Sequence, residues 1–251
     1  MKKLKIITSA IAALVLYGVA AQAQTYSYQS GDLLAAFRSS SGANDVIVDL
    51  GTAANFQSGS YSLSQDLSPV LNNAFGTTSG LYWSVFGYVN TTGSALGANN
   101  TLFVTDPRSD ITTANDPNSS LTSSGQGQVV SKMTAIANGA SSSYAIVYGN
   151  QQVEVSKTLN IGGNPVSYTV GVGSLGDFHG TWAPAVENIS TGGTTTSDLF
   201  QQDPGAANNG TYLGAFSMNG GVLSFSPVPE PSTWMMLGSG ALALLALRRR
   251  N

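Results

Sequence analysis

The sequence predicts a mainly β protein: an antiparallel β-sandwich or jelly-roll-like domain with one or two short helices, carried between two apolar termini. Three observations predict it. Short runs rich in Val, Ile, Tyr, Phe and Trp recur through residues 24–226, each bounded by Gly, Asn, Ser or Pro. Only two stretches show helical spacing. Charge is sparse and positive charge is concentrated at the ends, so the middle must fold by burial and dissolve through Ser, Thr, Asn and Gly.

The first element is an address. Lys2, Lys3 and Lys5 precede an apolar run from Ile6 to Ala20, and Ala21-Gln22-Ala23 is a small-x-small cleavage site. This pattern predicts a signal peptide over residues 1–23, with Ala21 and Ala23 flanking the cut and Gln24 opening the mature chain. The run is short for a retained membrane helix.

The predicted strands follow in order. Thr25–Gln29 alternates Tyr26 and Tyr28; Asp32–Arg38 carries Leu33, Leu34 and Phe37; Asp45–Leu50 reads Val-Ile-Val before Gly51. Ser68 is placed to cap a helix with Pro69 in its first turn, Val70, Leu71, Ala74 and Phe75 along it, and Gly76 as its stop. Leu81–Val89 and Leu102–Thr105 are strands. A second helix runs from about Gln126 to Asn138, with Val129, Val130, Met133 and Ile136 on one face and Gly139 as its stop. Tyr144–Tyr148, Val153–Leu159 and Val166–Val172 are further strands. Tyr212–Met218 and Val222–Ser226 flank Asn219-Gly220-Gly221 as a hairpin. No internal repeat of fixed period is visible, which disfavours a propeller or solenoid.

The last element spans residues 227–251. Val228-Pro229-Glu230-Pro231-Ser232 is followed by an apolar segment from Trp234 through Leu237, Leu242, Leu244, Leu245 and Leu247, and then by Arg248, Arg249 and Arg250. Thr233 to Leu247 is 15 residues, about 22 Å as a helix, against a hydrocarbon layer of about 30 Å. The flanking arginines can snorkel and the bilayer can thin to accommodate the mismatch. Trp234 suits the outer interface and the arginine triplet the cytoplasmic side, so both termini place residues 24–230 across the membrane from the cytosol. The segment lacks the polar face of a surface helix.

That ordered trio resembles the PEP-CTERM protein-sorting domain of exopolysaccharide-producing Gram-negative bacteria. The resemblance covers Val228 to Asn251. It implies recognition and cleavage by an exosortase, a multi-spanning membrane cysteine protease-transpeptidase. It also implies a transient stay in the inner membrane after passage through the general secretion machinery, then onward transfer to the cell envelope, surface or extracellular matrix. A permanent single-pass anchor is the competing expectation. Gly31–Arg38, Asp45–Gly51, Trp83–Gly87 and Gly210–Phe216 also resemble the start and end of uncharacterised domains attached to such tails, which implies a shared fold and no activity.

Stripped of both ends, the domain holds Arg38, Arg108, Lys132 and Lys157 against twelve acids, a net charge of −8. Nucleic acid and anionic lipid both require clustered cations, so neither is an expected partner. With no cysteine, the fold uses no disulfide, thiolate metal site or cysteine nucleophile.

The remaining chemistry is thin, and the sequence predicts no catalytic residues, metal or cofactor. His179 is the sole histidine, in Gly176-Asp177-Phe178-His179-Gly180. No Gly-x-Ser-x-Gly elbow accompanies it, and one histidine cannot make a His-based zinc site. Glycoside hydrolysis needs two carboxyls about 5–9 Å apart; Glu187, near Trp182, is the more cleft-like candidate, and Glu154 lies in a strand-like run. Asp106, Asp110, Asn115, Asp116 and Asn118 crowd oxygen ligands that could suit calcium, although no EF-hand spacing is present. Strand alternation puts Tyr82, Ser84, Phe86 and Tyr88 on one face and Leu81, Trp83, Val85 and Gly87 on the other, as either a sugar platform or a core strand. The expected function is a non-enzymatic structural or interaction role at the cell surface. The alternative is a carbohydrate-binding module or glycoside hydrolase acting on exopolysaccharide.

Overall fold

The computed structural model describes residues 28–40, 44–108, 123–142, 144–145, 154–159, 167–172, 178, 185–205 and 210–228. Their strands are β1 (Asp32–Arg38), β2 (Asn44–Thr52), β3 (Leu63–Asp66), β4 (Tyr82–Tyr88), β5 (Leu102–Pro107), β6 (Tyr144–Ala145), β7 (Glu154–Leu159), β8 (Asn188–Ile189), β9 (Thr195–Gln202), β10 (Thr211–Asn219) and β11 (Val222–Pro227). The helices are α1 (Ala53–Gln57), α2 (Ser68–Phe75), α3 (Ser123–Ser142) and α4 (Tyr168–Val172).

The strands form one sheet in the order β3-β11-β10-β9-β5-β4-β1-β2-β7-β6, with β8 added to β4. Each described pairing is antiparallel. This mainly β, antiparallel architecture matches the expected class, but the ladder is continuous where a sandwich or jelly roll divides into two sheets. The join is β9, which pairs Leu102–Pro107 of β5 on one side and Thr211–Met218 of β10 on the other. So long a ladder accumulates twist from strand to strand and curls.

The curl is visible in the two cores. Leu33, Ala35 and Phe37 of β1 face one cluster, which also takes Val46 and Val48 of β2, Leu63 of β3 and Leu223 and Phe225 of β11. Residues from opposite ends of the strand order thus share one apolar interior, giving a half-barrel. Helix α1 touches both β2 and β10, and α2 lies against β2. Leu34 and Ala36 point the other way, into a cluster with Val129, Met133 and Ile136 of α3, Tyr168 and Val172 of α4, and Phe178.

Local chemistry explains most boundaries. Gly76 ends α2 with a left-handed φ of 73°. Ser68 does not cap α2 but is its first residue, after Leu67 at the N-cap; the Asp66 Oδ1 accepts from the Ser68 N–H at 2.9 Å and from its hydroxyl. Asn219 pairs with Val222, so the terminal turn is Gly220-Gly221, with φ of 58° and 95°. Two positive φ values make the tight turn that matches strand twist.

Three expectations are corrected. Val166–Val172 is not a strand: Tyr168–Val172 is α4, started by the Ser167 hydroxyl accepting from the Val170 N–H at 3.2 Å. Gly139 does not stop α3, which continues to Ser142 with Gly139 and Ala140 buried. Tyr28 and Gln29 precede β1 without joining a strand; the rest of Thr25–Gln29 lies outside the described residues, as do residues 146–148 and 153 of two other expected strands. Helix α1 and strands β3, β8 and β9 come in addition.

Candidate functional site

The last described strand, β11, is paired on both sides over Val222–Phe225 and on one side to Pro227. β11 lies between β10 and β3, with Gly214 opposite Pro227 and Leu63 opposite Phe225. The alternation Val-Leu-Ser-Phe-Ser buries Leu223 and Phe225, which fixes the register. One residue further, the Val228 N–H donates to the Leu213 carbonyl at 3.3 Å. Pro229 has no N–H to continue such a ladder.

Residues 227–250 match the PEP-CTERM protein-sorting motif. No curated protein and no solved structure matches the chain. The PEP-CTERM motif implies an exosortase as processing partner and a sorted location in the cell envelope or at its surface. Its first two residues, Pro227 and Val228, are held by the sheet. Pro229, Glu230, Pro231 and Ser232 lie outside the described residues. So do the apolar positions Trp234, Leu237, Leu242, Leu244, Leu245 and Leu247, the basic stop Arg248–Arg250, and the cleavage positions Ala21, Ala23 and Gln24. Among the described residues, no helix is long and apolar enough to cross a membrane.

Of the acids considered for chemistry, Glu187 is described in full. Its Oε1 accepts from Arg38 Nε at 2.8 Å and its Oε2 from Arg38 Nη2 at 2.5 Å, a bidentate pair with side chains only 3% and 9% exposed. The guanidinium carbon also sits 4.4 Å from the centre of the Tyr82 ring. Burial lowers the Arg38 pKa, but hydrogen bonding and charge from Glu187 outweigh it and hold the group above its ordinary value. Burial, followed by the Glu187 charge, pushes the neighbouring Tyr168 phenol well up. That phenol shares a 2.6 Å hydrogen bond with the Ser84 hydroxyl. The group is therefore tied on every side and ties β1, β4 and α4 to the segment before β8.

A second pair, Arg108 with Asp198, links the end of β5 to β9, and Arg108 Nη2 also donates to the Tyr212 hydroxyl at 3.1 Å. Nothing in the spacing of these residues announces either pair; only the register of β5 on β9 brings the second one together.

Asp45 is fully buried and accepts from the Thr169 hydroxyl and from the Thr169 N–H at 3.1 Å. Burial raises its pKa above 3.8, against those hydrogen bonds and the charge of Arg38. The folded chain thus holds this proton more tightly than the unfolded chain. The resulting stabilisation is full below the ordinary value and is lost as pH rises through the raised one. Asp45→Asn should therefore gain on the parent protein as pH rises above 4, and the gap between thermal midpoints measured across that range checks it.

The aromatic run is core. Trp83 and Phe86 are fully buried on opposite faces and Tyr88 is 3% exposed, leaving Tyr82 half-buried beneath Arg38. Among the described residues, no three of His, Cys, Asp and Glu gather within metal-binding range. His179 and the loop residues Asp110, Asn115, Asp116 and Asn118 lie outside the described residues; Asp106 belongs to β5. The backbone of Glu154 opens β7.

Proposed function

We propose that this chain is an exported surface or extracellular-matrix protein of an exopolysaccharide-producing Gram-negative bacterium. Its signal peptide is removed on secretion, its tail holds it briefly in the inner membrane, and an exosortase then cuts at that tail and passes the β-domain outward. The domain's role is structural or interactive, without catalysis. The observation that carries this reading is the PEP-CTERM match beginning where the last strand ends. Occupation of Glu187 by Arg38 supports a non-enzymatic role, because that carboxylate is already engaged in a buried ion pair.

Mass spectrometry of envelope and secreted material tests the proposal. Mature protein should begin at Gln24 and lack Arg248–Arg250. An intact arginine-ended tail on all mature protein would overturn processing. Sugar binding is the second reading, and a glycan array on the folded domain decides it.

A further inference from the structure

The antiparallel registers sort every strand end onto one of two poles. Asp32 lies opposite Thr52, Leu33 opposite Gly87, Leu102 opposite both Tyr88 and Gln202, Thr211 opposite Gln201, and Pro227 opposite Gly214. The chain therefore enters β1 and leaves β11 at the same pole. Its other members are the 53–62 segment with α1, the 89–101 loop and the segment after Gln202. At the opposite pole Arg38 lies between Asp45 and Tyr82, Tyr82 pairs with Ile189, and Asn219 and Asp66 both pair with Val222.

Building on the membrane-held tail proposed above, we infer that the half-barrel is held end-on to the bilayer. The pole of the 89–101 loop faces the lipid, and the pole of the Gly76–Gly80 loop and the Gly220-Gly221 turn faces outward. Tether length carries the inference. Val228 is fixed to Leu213, and only Pro229 to Thr233 separate it from Trp234. Five residues reach about 17 Å at full extension. A nine-residue strand such as β10 is about 30 Å long. The tether is therefore shorter than the body it carries, so the body cannot invert to set its far pole on the membrane with the near pole turned away.

The absence of cysteine permits a direct test. Thr92→Cys and Ala98→Cys mark the near loop; Ser79→Cys and Asn219→Cys mark the far pole; all four positions are exposed. Each full-length variant, tail intact, is labelled with a fluorophore and reconstituted into phosphatidylcholine vesicles carrying a headgroup nitroxide. Near-pole labels should be quenched severalfold more than far-pole labels. A flexible insert of about twelve residues between Val228 and Pro229, adding up to about 40 Å of reach, should erase the difference. Equal or reversed quenching in protein that floats with the vesicles overturns the orientation alone. Failure to float overturns the membrane-held tail, and the orientation with it.

Discussion

Replacing Glu187 by leucine should destabilise the folded protein by about 3–5 kcal/mol, because it strands a buried guanidinium. The Arg38 side chain is only 9% exposed, and two of its donors are spent on Glu187. The Tyr82 ring remains against the cation, but a cation–π contact supplies only about 0.5–2 kcal/mol. The double replacement Arg38→Met with Glu187→Leu should recover most of the loss, since removing both charges removes the desolvation cost with the attraction. Urea denaturation of the parent, both single variants and the double variant closes the cycle. A single-variant cost below about 1 kcal/mol would place the pair in the range of solvated surface bridges.

The strength of that expectation comes from position. Glu187 lies just before β8, which adds to β4 at Tyr82 and Trp83. The ion pair thus fastens a segment with only a two-residue strand of its own to a central part of the sheet. It also explains a choice the sequence left open. A lone acid near a tryptophan is compatible with a cleft, and nothing in linear spacing reveals that an arginine 149 residues away is its partner.

Where hydrophobic alternation was strong, the sequence was legible. β1 runs from Asp32 to Arg38, as its pattern predicts, and Ser68–Phe75 has its proline and glycine at the expected ends. The failure at β9 has an identifiable cause. Thr-Thr-Ser-Asp-Leu-Phe-Gln-Gln reads as a polar loop, yet Ser197, Asp198 and Gln202 are fully buried. Partners from other elements satisfy the first two: Arg108 on Asp198, and Asn188 donating to the Ser197 hydroxyl at 3.1 Å. Buried polar groups are tolerated once hydrogen-bonded, and such partners are tertiary information. Because β9 joins the two halves of the ladder, missing it also turned one curled sheet into an expected pair. α4 failed for a related reason: Gly171 weakens a helix by propensity, but a Cβ there would lie 2.6 Å from the Ile136 side chain, so glycine is what permits the helix to pack on α3.

The sorting tail was legible for the opposite reason. Its features are linear, with a proline pair, an apolar run and a basic stop in fixed order, and the motif match covers the same span. The structure adds that Pro227 and Val228 are held by the sheet, and with it a prediction about the two prolines. Changing Pro229 and Pro231 together to alanine should reduce surface-delivered protein by about tenfold or more, as expected when a processing enzyme loses groups its site reads. Uncut precursor bearing Arg248–Arg250 should accumulate in the inner membrane. Two physical effects act in the same direction. Proline holds φ near −65° and offers no N–H, so alanine changes the shape presented to the enzyme. It also restores donors immediately after the Val228–Leu213 hydrogen bond, where β11 now stops. With those donors present, the strand can lengthen and draw the motif into the ladder, since proline is what excludes a residue from a central strand. Immunoblotting of surface, envelope and inner-membrane fractions with a domain-specific antibody reads the outcome. A permanent anchor has no cut to lose, so unchanged display by the double-alanine protein would identify the tail as an anchor and refute exosortase processing.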